Sequence, residues 1–330
     1  MRPLTPTPAM LVMALLLPCV GRGRTPTPPA GEHRVAHVVV APGVDLEVLD
    51  WGGTGEPLIF LAGIGDTGHS FDEFAPAFTD RWHVYAITRR GYGASTHTAA
   101  GYDVPTFAAD IEAVIDTLGL STVSLVGHSF AGDEITRIAA EWPGRVSHLV
   151  YLDAAYDRVG QLDVLQRAQF PDDPPMRTAD SASPQAVGSY LAALNGFRLN
   201  DEELHQWFAF DDEGKLIGKQ TSDTIWSRTI LRTVDHPPFD RVTTPALLVY
   251  AVPESAADLL PWYPHADTTW QRQARHAFDI WGAYRRADRE HIPDLFAAAQ
   301  VIDLPGANHY VFISNRDQVL DAMRRFLIAG

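Results

Sequence analysis

The sequence predicts an α/β fold: a mostly parallel sheet with helices on both faces, interrupted by one long insertion. Three observations carry the prediction. Solid apolar runs recur at 57–62 (PLIFLA), 82–87 (WHVYAI), 122–126 (TVSLV) and 148–152 (HLVYL), and strands that are apolar on both faces belong in a parallel sheet covered on both sides. Segments of helical period alternate with these runs, as in β-α units. After Leu152 the alternation stops for about 90 residues before the next strand pattern at 245–251 (PALLVYA). That interval is too long for a structureless loop and reads as a mostly helical cap.

The elements follow in order. Residues 34–40 and 44–51, separated by Pro42-Gly43, read as an antiparallel pair at a sheet edge; the second largely alternates apolar and acidic residues, as a strand with one wet face should. Within TGHSFDEF, Ser70 and Glu73 match a capping box, with Phe71, Phe74 and Phe78 as the buried stripe behind it. Helices are expected at 107–118, with apolar Phe107, Ile111, Val114, Ile115 and Leu118, and at 130–142, stopped by Pro143-Gly144. The cap holds the Pro-rich stretch FPDDPPMRTADSASP and helical patches at 187–194, 202–208 and 225–231. The core then resumes with the strand at 245–251, a helix over about 267–286, a strand at 300–304 and a last helix at 316–328. The resulting division is 1–31, 32–156 (core, first part), 157–242 (cap) and 243–330 (core, second part).

The first division is a leader. Arg2 precedes an apolar run at 9–20, too short to span a bilayer comfortably, and a Pro/Thr-rich stretch follows. This reads as a secretory signal, so the mature protein is expected outside the cytoplasm, secreted or periplasmic, without a stable membrane span. Lipidation of Cys19 is disfavoured by Pro18 just before it. Cys19 is the only cysteine, so its removal with the leader excludes disulfides, a thiolate nucleophile and cysteine metal sites. The formal net charge is −15 over 330 residues, which argues against nucleic acid as a partner. With no HExxH motif and no mature cysteine, no metal and no cofactor is expected. Nothing in the pattern sets an oligomeric state.

The tetrapeptide GHSF occurs twice, at 68–71 and at 127–130. The second copy follows a buried strand and opens an amphipathic helix, with small Gly127, Ala131 and Gly132 around Ser129. A serine on such a sharp strand-to-helix turn is lifted out of the sheet edge, and the free N–H groups of the helix start face it. The first copy has no strand leading directly into it. Ser129 is therefore the candidate nucleophile and Ser70 a helix cap. RRGYG (89–93) reads first as a structural turn, and Gly63, Gly65 and Gly68 lack the spacing of a dinucleotide loop.

With GHSFAG, YLDAAY, ANHYVF and the RRGYGAS loop in this order, the chain resembles the α/β-hydrolase superfamily over nearly all of 35–328. The resemblance implies a twisted sheet of about eight strands. It implies His309 as general base, in a loop after a late strand. It leaves two positions for the acid that orients the histidine, Asp153 after the strand before the cap and Glu254 after the strand that follows it. Asp153 is favoured, because it ends a strongly apolar strand on a short side chain with small Ala154 and Ala155 behind it. The resemblance also implies an oxyanion hole from the backbone N–H groups of Phe130 and Ile64. His128, beside the nucleophile, should point away from it.

A serine hydrolase acting on a small, partly apolar molecule is the expected function, with carboxylic esters as the default substrate. Cleavage of amide, lactone or carbon–carbon bonds remains open. So does a non-catalytic exported binding protein that keeps the fold. Trp207, Phe208, Phe210, Trp226 and Tyr190 of the cap are candidate pocket aromatics.

Overall fold

A computed structural model of the chain describes residues 31–220 and 230–328. The expected leader, Gly31 apart, lies outside the described residues, as do Trp226 and most of the helical patch at 225–231.

Eight strands form one sheet. They are β1 (Arg34–Ala41), β2 (Val44–Gly52), β3 (Glu56–Leu61), β4 (Trp82–Ile87), β5 (Val123–His128), β6 (Val146–Leu152), β9 (Ala246–Val252) and β10 (Ala299–Pro305), in the order β1-β2-β4-β3-β5-β6-β9-β10. β1 and β2 pair antiparallel, β2 and β4 pair antiparallel, and every other pairing is parallel. Successive side chains of a strand point to opposite faces, and that alternation builds two cores. Ile59, Leu61, Leu125 and Leu149 pack under α1 (Val104–Thr117) and α2 (Ala131–Glu141) through Ile111, Ile115, Ile135 and Ile138. Leu58, Phe60, Val126 and Val150 pack on the other face against Phe71, Phe74, Phe78 and Phe312, with Val319 and Met323 of α9 (Arg316–Ile328). The solid apolar runs thus mark strands covered on both sides. Val35 and Val39 of the edge strand β1 stay exposed.

β6 and β9 are neighbours, with Leu149 opposite Ala246, so the long interval leaves the sheet and returns beside the strand it left. It contains α3 (Gln161–Ala168), and α4 (Pro184–Asn195) and α5 (Asp201–Trp207) around a small core of Val187, Leu191, Leu204 and Phe208. It also contains a hairpin, β7 (Phe208–Phe210) with β8 (Leu216–Lys219), where the sequence reading extended a helix to 208. The Asp211 carboxylate accepts the amides of Glu213 and Lys215 at 3.0 and 2.8 Å, and Gly214 turns with φ 83°. That local turn chemistry favours a hairpin over helix continuation.

The cap expected at Ser70 also differs. The turn Gly68–Phe71 is a single 3₁₀ turn capped by Thr67, and the Ser70 hydroxyl donates to the Thr67 carbonyl at 2.9 Å. Ser70 lies three positions past Thr67, inside the turn, and does not cap it. Phe71, Phe74 and Phe78 are buried as expected. After β9 come α6 (Ala256–Leu259), the 24-residue α7 (Thr268–His291) capped by Asp267, and α8 (Val311–Ser314) ahead of α9.

Candidate active site

β5 ends at His128 and α2 begins at Ala131, so Ser129 occupies the turn. Its φ is 55°, a left-handed conformation that costs a non-glycine residue about 1–3 kcal/mol unless its surroundings enforce it. They do. A Cβ on Gly132 would collide with the Ala154 carbonyl, and one on Gly127 would lie 2.9 Å from the Ala131 carbonyl oxygen. The Ser129 amide donates to the Leu152 carbonyl at 3.2 Å, and Arg158 donates to the Ser129 carbonyl at 2.7 Å. Arg158 also pairs with the buried carboxylate of Asp133.

Ser129 Oγ lies 2.9 Å from His309 Nε2, and His309 Nδ1 lies 2.5 Å from Asp153 Oδ2. His309 comes from the loop between β10 and α8, Asp153 from the residue after β6. Asp153 is fully buried and itself has φ 50°. Its second oxygen accepts from Tyr156 Oη at 2.7 Å, from the Ala251 amide at 3.0 Å and from Arg285 of α7. The Arg285 guanidinium lies 4.0 Å over the Tyr156 ring and also donates to its hydroxyl oxygen. Burial alone would raise the Asp153 carboxyl, but the Arg285 charge and the His309 hydrogen bond hold it well below the usual range. Burial pushes the His309 ring down to about 4 against the pull of Asp153, with the His128 and Arg285 charges adding to the push. The side chain of His309 remains 39% exposed, so solvent screens part of that push, and the direction leaves the ring neutral at pH 7. Nothing near Asp153 in the sequence points to Arg285, which lies 132 residues downstream.

The loop after β3 passes against the nucleophile: a Cβ on Gly63 would sit 3.1 Å from that of Ser129. Arg89, paired with the buried Glu134 at 2.5 Å, donates to the carbonyls of Ala62 and Gly63 at 2.8 and 3.1 Å. Because the Gly63–Ile64 peptide is planar and trans, a carbonyl turned to Arg89 points the Ile64 N–H the opposite way. No acceptor among the described residues takes the N–H of Ile64 or of Phe130. The structural reading of RRGYG is met by Arg89 here and by Arg90, which makes a bidentate pair with Asp110 at 2.6 Å.

Glu254 is exposed, and its amide bonds the Asp258 carboxylate at 2.8 Å in the turn that opens α6; the acid that meets His309 is Asp153. His128 is buried and turned away from Ser129, its Nε2 3.2 Å from the His309 carbonyl oxygen and its ring 4.7 Å from the His309 ring. Next to it, Asp66 accepts from Tyr310 Oη at 3.0 Å. Glu203 of α5 is fully buried and accepts from the Thr67 amide at 2.9 Å, the Thr67 hydroxyl at 2.5 Å and Trp207 Nε1 at 2.8 Å. Burial, with the Asp66 charge adding, pushes its carboxyl up to about 8.

Two cavities lie in this region, and Ser129 lines the smaller. One of about 250 Å³ is lined by Ser129, His309, Arg158, Phe170, Trp281 and Arg285. The other, about 450 Å³, runs from Ile64 and Tyr310 to Tyr190, Leu194, Trp207 and Phe208. Tyr190, Trp207 and Phe208 thus line a pocket as expected. Phe210 instead packs with the small core of the insertion. No helix among the described residues is long and apolar enough to cross a membrane.

Comparison with known proteins agrees with this architecture. The chain is 26% identical over 202 residues to a non-heme chloroperoxidase of Kitasatospora aureofaciens, covering 58% of this chain and 66% of the relative. It is 31% identical over 121 residues to a bifunctional esterase/perhydrolase of Acinetobacter calcoaceticus, covering 33% and 40%. The chain thus spans less than two thirds of the length of either relative. Among solved structures, E-2-(acetamidomethylene)succinate hydrolase superposes with a TM-score of 0.63 at 21% identity, over 90% of this chain and 99% of that one, a likeness of fold. The family profile described as alpha/beta hydrolase fold matches residues 56–251, more than half of the chain, and the chain belongs to the α/β-hydrolase fold family.

Proposed function

We propose that the protein is a serine hydrolase that cleaves carboxylic esters through an acyl-enzyme on Ser129. The observation that carries the reading is the continuous chain Ser129 Oγ–His309–Asp153, with spacings of 2.9 and 2.5 Å, on a serine held at φ 55°. Asp153 accepts a hydrogen bond from the Nδ1–H of His309, which leaves Nε2 free to take the serine proton. Oγ then attacks the ester carbonyl. The oxyanion that forms is met by the open N–H groups of Phe130 and Ile64, each such donor being worth about 3 kcal/mol. Collapse breaks the ester C–O bond, and His309 returns the proton to the departing alcohol. Water, deprotonated by His309, attacks the acyl carbonyl; the acid leaves and Ser129 recovers its proton. The insertion acts as a cap over the serine, and the two cavities take the two halves of the ester, the larger one suiting an apolar chain.

A fluorophosphonate probe and a series of p-nitrophenyl esters of increasing acyl length test the reading together. A single adduct on Ser129 with turnover of at least one ester supports it. Folded protein that neither labels nor turns over is a binding protein on a hydrolase fold. A second reading, perhydrolysis, draws on the 31% identity to the esterase/perhydrolase: hydrogen peroxide in place of water would attack the same acyl-enzyme and release a peracid. Peracid formed from acetate ester and peroxide, and lost in S129A, would distinguish it.

A further inference from the structure

The first GHSF copy leaves a cluster that the proposed chemistry does not use. His69 of that turn, Asp72 just after it and His33 ahead of β1 bring one ligating atom each to within 4.8 Å of one another. We propose that His33, His69 and Asp72 form a binding site for a zinc-class divalent cation, which ties the chain entering β1 to the Gly68–Phe71 turn.

Four features carry the assignment. The spacings come close to those around a tetrahedral ion: His33 Nδ1 lies 3.3 Å from Asp72 Oδ1, and His69 Nδ1 lies 3.0 Å from Asp72 Oδ2, in a hydrogen bond that an ion would replace. Ligands about 2.0–2.2 Å from zinc stand roughly 3.3–3.5 Å apart. Asp72 Oδ1 is buried and accepts no hydrogen bond, with His33 Nδ1 3.3 Å away, so its lone pairs are open to an ion between them. His69 turns its other nitrogen, Nε2, to Glu47 Oε1 at 3.5 Å, and Glu47 is buried and held by the Thr88 hydroxyl at 2.7 Å. A carboxylate behind the far nitrogen is how a metal-bound histidine is oriented. His33 is packed in place, its ring 5.2 Å edge-on to Trp51 and 5.2 Å from the His69 ring. Two imidazoles and one carboxylate suit zinc and its borderline neighbours rather than calcium or magnesium, which take oxygen ligands, and a water completes the set. The His69 carbonyl also accepts from Asn200, the residue capping α5, at 2.7 Å, so an ion here steadies the turn on which the insertion rests. Residues 36 and 3 apart form no recognisable metal motif, so the site is invisible in sequence.

The test is zinc titration of the untagged, EDTA-treated full chain by calorimetry, repeated with cobalt for the visible absorption of a tetrahedral site. One ion per chain and a higher Tm with zinc are expected. H33Q and D72N should each weaken binding by about tenfold or more, E47Q by about tenfold, and H309Q should not change it. Circular dichroism verifies that each variant is folded. No binding by the wild type, or H33Q and D72N both binding like the wild type, would leave an ion-paired cluster and overturn the proposal. Loss of the site in H309Q would place the ion at the serine instead and overturn it equally.

Discussion

Asp153→Asn tests the proposed chemistry and the packing at once. The substitution keeps the shape and removes the charge. Opposite His309 Nδ1, 2.5 Å away, an amide no longer requires a donor. With an amide N–H turned to it, Nδ1 becomes an acceptor and Nε2 carries the proton. A histidine in that tautomer cannot take the serine proton, and the analogous change in serine proteases costs about 10⁴ in turnover, or roughly 5.5 kcal/mol. A second cost falls on folding. Arg285, with 12% of its side chain exposed, pairs with the fully buried Asp153, and breaking a buried pair from one side costs about 3–5 kcal/mol. The amide oxygen still accepts from Arg285, so the lower end applies. The Tm should fall by roughly 5–10 °C.

The assay is kcat/KM on one chromogenic ester, with melting curves for D153N, R285M and the double variant. The double variant should recover part of the lost stability and none of the lost turnover, because the stranded cation goes while the tautomer stays wrong. The stability advantage of wild type over D153N should also depend on pH. Asp153 titrates well below its ordinary value of 3.8, so its contribution is complete above that pH and lost only as pH falls further. If folded D153N keeps kcat/KM within tenfold of wild type while E254Q loses it, the assignment of the acid is refuted.

Other outcomes follow from the same geometry. E254Q should stay within about threefold of wild type, since Glu254 is exposed in the turn that opens α6, and ester turnover measures it. S129A should abolish fluorophosphonate labelling while S70A labels fully, read by mass spectrometry of the adduct. The acid limb of kcat/KM should lie below 6.5, toward about 4, because His309 is pushed down and only the neutral ring can act as base; R285M removes one of the charges that push it and should move the limb upward. G132A should lose at least about 1–3 kcal/mol in denaturant melts, as its Cβ meets the Ala154 carbonyl.

Local signals were legible in the sequence where one segment alone decides the outcome. The elbow at Ser129 shows as a strand, small residues and a helix in succession, and α9 begins and ends where its periodicity does. Signals failed where the deciding partner is distant or the competition is close. Thr67 displaced Ser70 as cap because its side chain is also fixed by Glu203, 136 residues away. Nothing in the sequence names partners for Asp133 and Glu134 of α2. Both are buried, one against Arg158 and the other against Arg89. The choice between Asp153 and Glu254 turned on where His309 Nδ1 points, and that depends on the packing of three separate loops.

Ser129, Asp153 and His309 all lie outside 157–242, whereas most of the larger cavity's wall comes from inside it. Under the proposed function, reaction and selectivity are therefore written in different passages of the same text. Substitutions at Tyr190 or Leu194 can reshape what enters without disturbing the machinery that reacts with it. Trp207 is the exception, since its indole both lines the wall and donates to Glu203, the acid that grips Thr67. A combinatorial library that varies Tyr190 and Leu194 and spares Trp207, Glu203 and the core residues Val187 and Leu191 should yield new acyl preferences at nearly unchanged expression, and a lineage diversifying by drift would have the same freedom.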